Sequence, residues 1–225
     1  MQNTQNGIFT TIKVVDTMPL FLKQHLMRLG IENKKDFVKK QIKKLLQKNA
    51  TTHAAVRISV LDTTEIFFHA RELPESNQLV SAVTIHSNQK LPTKKIINRS
   101  IFTLALKDAK KMNAQEVVFT EENNLLETTI ANLISQDKNG NLVTPKLTLQ
   151  GLKGITRQLL LDKKYVIEKD IPVNITDPLI AVNSLRVFGI EKLNGTVLAS
   201  PMPLMKKVQL ILQKEEENYA NSYYR

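Results

Sequence analysis

Cysteine is absent from the 225 residues, which excludes disulfides, thiolate nucleophiles and cysteine-based zinc sites at once. Long apolar runs are missing too. None approaches the roughly 18 to 20 residues of a membrane span, and the start, MQNTQNGIFTTIK, lacks a charged segment followed by an apolar core. The expectation is a cytoplasmic protein with no membrane partner. Aromatic residues make up only 5% and do not interleave with lysines as base-stacking platforms do. The histidines, His25, His53, His69 and His86, show no paired metal-helix spacing, and no carboxylate cluster resembles a calcium loop, so no metal is expected. What remains is ordinary globular material, 42% hydrophobic and 24% charged, enough for one large domain or two small ones.

Negative charge is in short supply, and the net +11 first suggests a polyanion partner. Its source is local. Residues 33–48, NKKDFVKKQIKKLLQK, carry seven lysines and one aspartate, a net +6. Phe37, Val38, Ile42, Leu45 and Leu46 fall on one face at helical spacing, which leaves the lysines on the other face of an amphipathic helix. Asn33 and Asp36 suit its first turn. A solvated helix face is favoured over nucleic-acid binding; a basic nucleic-acid or anionic-surface binder without catalysis is the reading from another functional class.

Periodicity changes repeatedly between strand-like and helix-like, indicating a mixed α and β architecture. GIFTTIKVV (7–15), AAVRISVL (54–61), EIFFHA (65–70) and LVSAVTIH (79–86) read as strands, with LFLKQHLMRL and the lysine helix between the first two. The pattern lapses around SNQKLP (87–92), which sets an expected domain boundary between 88 and 89. Beyond it come a helix near 98–112, strand EVVFT, strands near 129–134 and 141–144, and a helix from about 155. Strands near 165–168 and 179–193 and a helix near 203–216 follow, then a frayed tail, EEENYANSYYR.

Within this pattern Glu127 stands out as one acid in LLETTIANLI, a stretch otherwise apolar or weakly polar. A carboxylate removed from water costs several kcal/mol in order of magnitude unless compensated, so it either faces solvent or has a partner. His25 and Arg28 are three apart and share a helical face, where Arg28 offers a fork to a phosphate or carboxylate. In KGITR, Gly154 precedes a helical run, so the amides of Ile155 and Thr156 would form an anion site at a helix N-terminus. Ser184, in NSL, adds a hydroxyl at a strand end. Each of these features also has an ordinary structural reading.

Taken in order, GIFTTIKVVD, HLMRL, KIINR, LLETTIANL, TPKLTLQGLKGITR and AVNSLRVFGIEKLNG resemble the fold-type IV (class IV) pyridoxal-phosphate enzymes, over about residues 7–196. That family contains branched-chain and D-amino-acid aminotransferases and 4-amino-4-deoxychorismate lyase. The resemblance implies an α+β, two-domain D-amino-acid aminotransferase-like fold, with a small N-terminal α/β domain (1–88) and a larger C-terminal pseudo-barrel, cofactor-binding domain (89–225). It implies pyridoxal 5'-phosphate as cofactor and a homodimer. It assigns the cofactor-bearing catalytic lysine to Lys95, with Lys94 on the other face of an extended segment. The partner of the pyridine nitrogen is Glu127, and the phosphate falls to Arg28, the amides of Ile155 and Thr156, and Ser184. Asn132 would position its segment.

In wording, VNSL and TPKLTLQGLKGITRQLL are nearer the lyase, which implies conversion of 4-amino-4-deoxychorismate to 4-aminobenzoate and pyruvate for folate synthesis. The alternative is a class IV aminotransferase acting on branched-chain or D-amino acids. Substrate binding is expected from Asn183 and, on another wall, from Thr10, Thr11 and Lys13. The family's glycine-rich Arg-Gly-Tyr segment is replaced by LDTTEIFFHARELPES, where Arg71 is the available arginine, and the chain starts only a few residues before GIFTT, ahead of which members carry further strands.

Overall fold

The structure, a computed structural model, describes residues 6–86, 90–147 and 150–223. It divides into two compact units. One takes the described residues up to Pro74, Lys94–Asn98 and those from Ile211 on; the other takes Glu75–Thr93 and Arg99–Leu210.

The first unit contains β1 (Gly7–Val15), β2 (Met18–Pro19), α1 (Leu22–Leu29), α2 (Lys35–Lys48), β3 (Ala54–Leu61) and β4 (Ile66–Arg71). Its sheet runs β2-β1-β3-β4, antiparallel throughout. Strand alternation gives the sheet two unlike faces. Ile12 and Val14 of β1, Val56 and Ile58 of β3, and Ile66, Phe68 and Ala70 of β4 turn toward Leu22, Leu26 and Leu29 of α1 and Val38, Ile42 and Leu46 of α2. The opposite face carries the register-paired rows Phe9–Ser59–Phe67, Thr11–Arg57–His69 and Lys13–Ala55–Arg71. Phe37, expected on the apolar face of α2, is 46% exposed and instead meets Phe68 edge-on at 6.0 Å between ring centres.

Segment Lys94–Asn98 joins this sheet along β1. Phe9 N donates to the Lys95 carbonyl at 2.8 Å and Ile97 N to the Gly7 carbonyl at 2.9 Å, around an antiparallel bridge between Ile8 and Ile96. That register puts Ile96 on the Ile8 side and Lys95 on the Phe9 side. Gly7 is what the packing there admits, because a Cβ would stand 2.3 Å from the Val60 carbonyl oxygen and 3.0 Å from Ile97 Cδ1.

The second unit contains β5 (Leu79–His86), α3 (Ser100–Lys111), β6 (Glu116–Glu121), β7 (Asn124–Thr128), β8 (Asn132–Gln136), β9 (Leu142–Thr144), α4 (Ile155–Asp162), β10 (Ile167–Glu168), β11 (Leu179–Val182), β12 (Val187–Leu193), β13 (Thr196–Val197) and the start of α5 (Met202–Tyr223). Six strands close a ring, β8-β11-β12-β5-β6-β7 and back to β8, with β9 and β10 extending from β8 and β13 beside β12. Closure leaves those six strands without an open edge. Val118, Leu125, Leu133, Ala181, Phe188 and Ile190 belong to one core cluster; Val83, Val117, Phe119 and Leu126 pack with Phe102, Ala105 and Ala109 of α3 in another. Strands and helices thus combine in an α+β architecture, as the sequence led us to expect.

Several expectations need correction. The boundary expected between 88 and 89 lies outside the described residues, and β5, read into the first domain, pairs with β6 and β12 in the second unit. The strand read near 129–134 is β8 from Asn132, preceded by a turn and by β7; the strand read over 179–193 is two, joined at Asn183–Arg186. The frayed tail is helical: α5 continues to Tyr223, because Glu216, Tyr219 and Tyr223 recur at helical spacing and each finds a partner in the first unit. Among the described residues no helix is long and apolar enough to cross a membrane, and no cluster of three metal-ligating side chains occurs.

Gly7→Ala is expected to destabilise the first unit by about 2 kcal/mol or more, since the added Cβ meets backbone on a neighbouring strand. Urea unfolding of the variant checks this.

Candidate active site

Lys95 and Arg28 lie in the first unit. Lys95 is half-buried, its Nζ 5.2 Å from the centre of the Phe9 ring, and Arg57 Cζ lies 3.8 Å from the centre of the same ring. A ring face attracts a cation through its quadrupole, so Phe9 draws both side chains to it. Burial, and then the charge of Arg71, lowers the pKa of Arg57. Two guanidinium groups therefore share the sheet face that also carries Thr11. Arg57 was missed in the sequence; the signal was a charged residue at an alternating position of AAVRISVL.

Arg28 sits in the last turn of α1, and burial lowers its pKa from 12.5 to about 10. A guanidinium desolvated to that degree favours an anionic partner. His25, one turn earlier, is buried, with Nδ1 2.6 Å from Thr10 Oγ1. Its pKa is held well below the usual histidine value by burial first and then by the charges of Arg28 and Lys95, so it is neutral at pH 7. Thr10 thus belongs to the core face of β1, opposite Thr11 and Lys13, and the expected wall of all three does not form. Lys13 Nζ in turn contacts both carboxylate oxygens of Glu216 at 2.8 Å.

Glu127 and the helix N-terminus lie in the second unit. Glu127 is 4% exposed. Its Oε2 accepts from Leu152 N at 3.1 Å and from Asn132 Nδ2 at 3.4 Å. β7 carries one extra residue between the pairs Val118–Thr128 and Thr120–Leu125. This bulge breaks alternation, so the consecutive Leu126 and Glu127 both find partners in the chain before α4, Leu126 packing in the cluster with Leu147 and Glu127 accepting from Leu152 N.

Asn132 pairs with Glu127 across the β7–β8 turn and spans the approach to α4, donating to the Leu152 carbonyl at 2.8 Å and accepting from Gly154 N at 3.1 Å. A Cβ on Gly154 would stand 2.1 Å from Asn132 Oδ1, so only glycine lets the loop reach the asparagine. Gly154 is the N-cap of α4, without a side-chain cap, and the amides of Ile155 and Thr156 follow in the first turn, where no intrahelical acceptor exists.

The turn Thr128–Ala131 is pinned from several sides. Thr128 Oγ1 accepts from Ile130 N and Ala131 N, and the Thr129 carbonyl accepts from Arg99. Glu116 Oε1 accepts from Thr129 N and Thr129 Oγ1; burial raises the pKa of Glu116 and these bonds oppose the rise. Asn183 donates to the Ile130 carbonyl at 3.3 Å while its Oδ1 accepts from Leu185 N and Arg186 N. The Asn183 side chain is thus occupied in closing its own turn and tying it to the next, and Ser184 sits in that turn.

The first unit thus carries an amine and a half-buried guanidinium, and the second a buried carboxylate and a helix N-terminus without a side-chain cap, groups whose chemistry fits pyridoxal phosphate. Residues 7–190 match the family described as amino-transferase class IV. No curated protein matches the chain. Among solved structures, a candidate 4-amino-4-deoxychorismate lyase from Legionella pneumophila is 21% identical with a TM-score of 0.78, over 94% of this chain and 92% of that one. The Escherichia coli branched-chain amino acid aminotransferase is 19% identical with a TM-score of 0.78, over 96% and 86%. The PLP-bound form of a hypothetical aminotransferase from Mycobacterium tuberculosis is 18% identical with a TM-score of 0.71, over 90% and 87%. At such identities the likeness is one of fold.

The depressed pKa of His25 has a signed consequence. Below the unfolded value of roughly 6.5 the unfolded chain takes up a proton that the folded chain refuses, so stability is lost as pH falls from there. The expected slope from this one group is up to about 1.4 kcal/mol per pH unit. His53, His69 and His86 are exposed, and His25→Gln should therefore remove most of the histidine-dependent slope in unfolding titrations between pH 6.5 and 5.

Proposed function

The chain belongs to the class IV aminotransferase family and is a pyridoxal-phosphate-dependent enzyme, and from that premise we propose that it is the lyase that converts 4-amino-4-deoxychorismate to 4-aminobenzoate and pyruvate, a step of folate synthesis. What supports this reading is the pair of guanidinium groups, Arg57 and Arg71, on the sheet face where Lys95 shares the Phe9 ring with Arg57. Two guanidinium groups on one sheet face, with the charge of Arg71 adding to burial in lowering the pKa of Arg57, call for two negative charges, and the proposed substrate is a dicarboxylate.

In this reading Arg57 and Arg71 receive the substrate carboxylates and Thr11 lies beside them. Pyridoxal phosphate, when bound, supplies the electron sink that spreads the charge developing at C4 of the substrate. Lys95 Nζ would remove the proton from C4 and return a proton to the departing enolpyruvyl group, which leaves as pyruvate while the ring becomes aromatic. The carboxylate of Glu127 keeps the proton on the pyridine nitrogen, and its bonds to Leu152 N and Asn132 hold it in place for that task. Arg28, the amides of Ile155 and Thr156, and Ser184 bind the phosphate. Asn183 positions the turn that bears Ser184. Homodimeric assembly and a cytoplasmic location belong to the same proposal.

Purified holoenzyme given 4-amino-4-deoxychorismate alone should release pyruvate and 4-aminobenzoate. A requirement for a keto acid, with amino donors bleaching the cofactor, would identify an aminotransferase instead. Arg57→Gln is expected to raise KM for the dicarboxylate about ten- to a hundredfold with a smaller effect on kcat. An unchanged KM would remove the guanidinium pair from the substrate site.

A further inference from the structure

α1 carries His25 and Arg28, yet it begins poorly. Its N-cap, Phe21, is in the left-handed region (φ 51°, ψ 37°) and offers no side-chain acceptor. The acceptor comes from far along the chain: Leu22 N donates to the hydroxyl of Tyr219, in the last turns of α5, at 3.1 Å. The two aromatic rings there, Phe21 and Tyr219, pack 5.0 Å apart, and burial raises the pKa of the phenol. Tyr219 belongs to one face of α5 that meets three elements of the first unit. Glu216 pairs with Lys13 of β1, Tyr219 reaches the start of α1, and Tyr223 lies 4.5 Å beneath Lys39 of α2.

We propose that Tyr219 is a positioning residue for Arg28: its hydroxyl caps α1 and so sets the orientation in which that short helix presents the guanidinium to the cofactor phosphate. α1 has only eight residues, and about half of a helix that short consists of end groups without intrahelical partners. Its direction accordingly depends on what satisfies the first amides. Glu216 fixes the turn of α5 from which Tyr219 reaches, by holding Lys13 with both oxygens. The inference rests on the phosphate role proposed for Arg28.

The test compares two ligands that differ only in the phosphate. Wild type and Tyr219→Phe apoproteins are titrated with pyridoxal phosphate and with pyridoxal, following absorbance, and apoprotein melting is recorded beside them. Phenylalanine keeps the ring contact with Phe21 and removes only the acceptor. The expected result is a Kd for pyridoxal phosphate raised about three- to tenfold, the weight of one hydrogen bond, with pyridoxal changed less than about twofold. Loss of stability without a role toward Arg28 would shift both ligands alike or neither, and would overturn the inference. Glu216→Gln, which leaves one acceptor for Lys13, should show the same phosphate-selective loss in milder form and serves if the tyrosine variant does not fold. Failure of wild type itself to take up pyridoxal phosphate would overturn the functional reading and this inference with it; uptake with an unchanged phosphate preference in both variants overturns this inference alone.

Discussion

Two backbone hydrogen bonds, Phe9 N to the Lys95 carbonyl and Ile97 N to the Gly7 carbonyl, decide which lysine of residues 94–98 stands on the Phe9 side of the sheet. Side chains alternate across an extended segment, so a slip of one residue would exchange Lys95 for Lys94 or Ile96. The register holds because Ile96 lies on the Ile8 side, toward the core of the first unit, and because residue 7 has no Cβ to push the strands apart. Lys95 then shares the Phe9 ring with Arg57. A ring face attracts cations through its quadrupole and so gathers the two side chains on one side of the sheet. Lys13, further along β1 on the same face, pairs with Glu216.

The second unit solves the opposite electrostatic problem. Glu127 is a carboxyl group withdrawn from water, and amide donors, Leu152 N and the Asn132 side chain, hydrogen-bond its Oε2. A bulge in β7 turns the carboxylate toward those donors, and the same asparagine holds Gly154 at the start of α4. Acid and helix N-terminus are thus set by one side chain. The turn between Glu127 and Asn132 is clamped by Glu116, Arg99 and Asn183, so neither residue can drift independently of the barrel.

Much of this was legible from residue order. The family resemblance carried by KIINR marked Lys95, the lone acid of LLETTIANL marked Glu127 and the glycine before a helical run in KGITR marked Ile155 and Thr156 as residues to follow, and strand and helix periods placed most elements. What escaped the sequence depends on long-range pairing. β5 carries no mark of belonging to the barrel, because its partners β6 and β12 lie about 35 and 110 residues further on. Thr10 looks equivalent to Thr11 until alternation is anchored by Ile12 and Val14 in the core. EEENYANSYY reads as a solvated tail, since its helix is held by an ion pair, a phenol and a ring and not by an apolar stripe. Arg57 hid in an apolar strand because its significance lies in Phe9 and Arg71, which only the folded sheet brings to it.

The register of residues 94–98 against β1 is tested most directly by reducing the holoenzyme with borohydride and mapping the modified peptide. The account predicts loss of the visible absorbance and the cofactor fixed to Lys95 alone. Fixation to Lys94 or to a lysine of α2, or no covalent adduct at all, would contradict it.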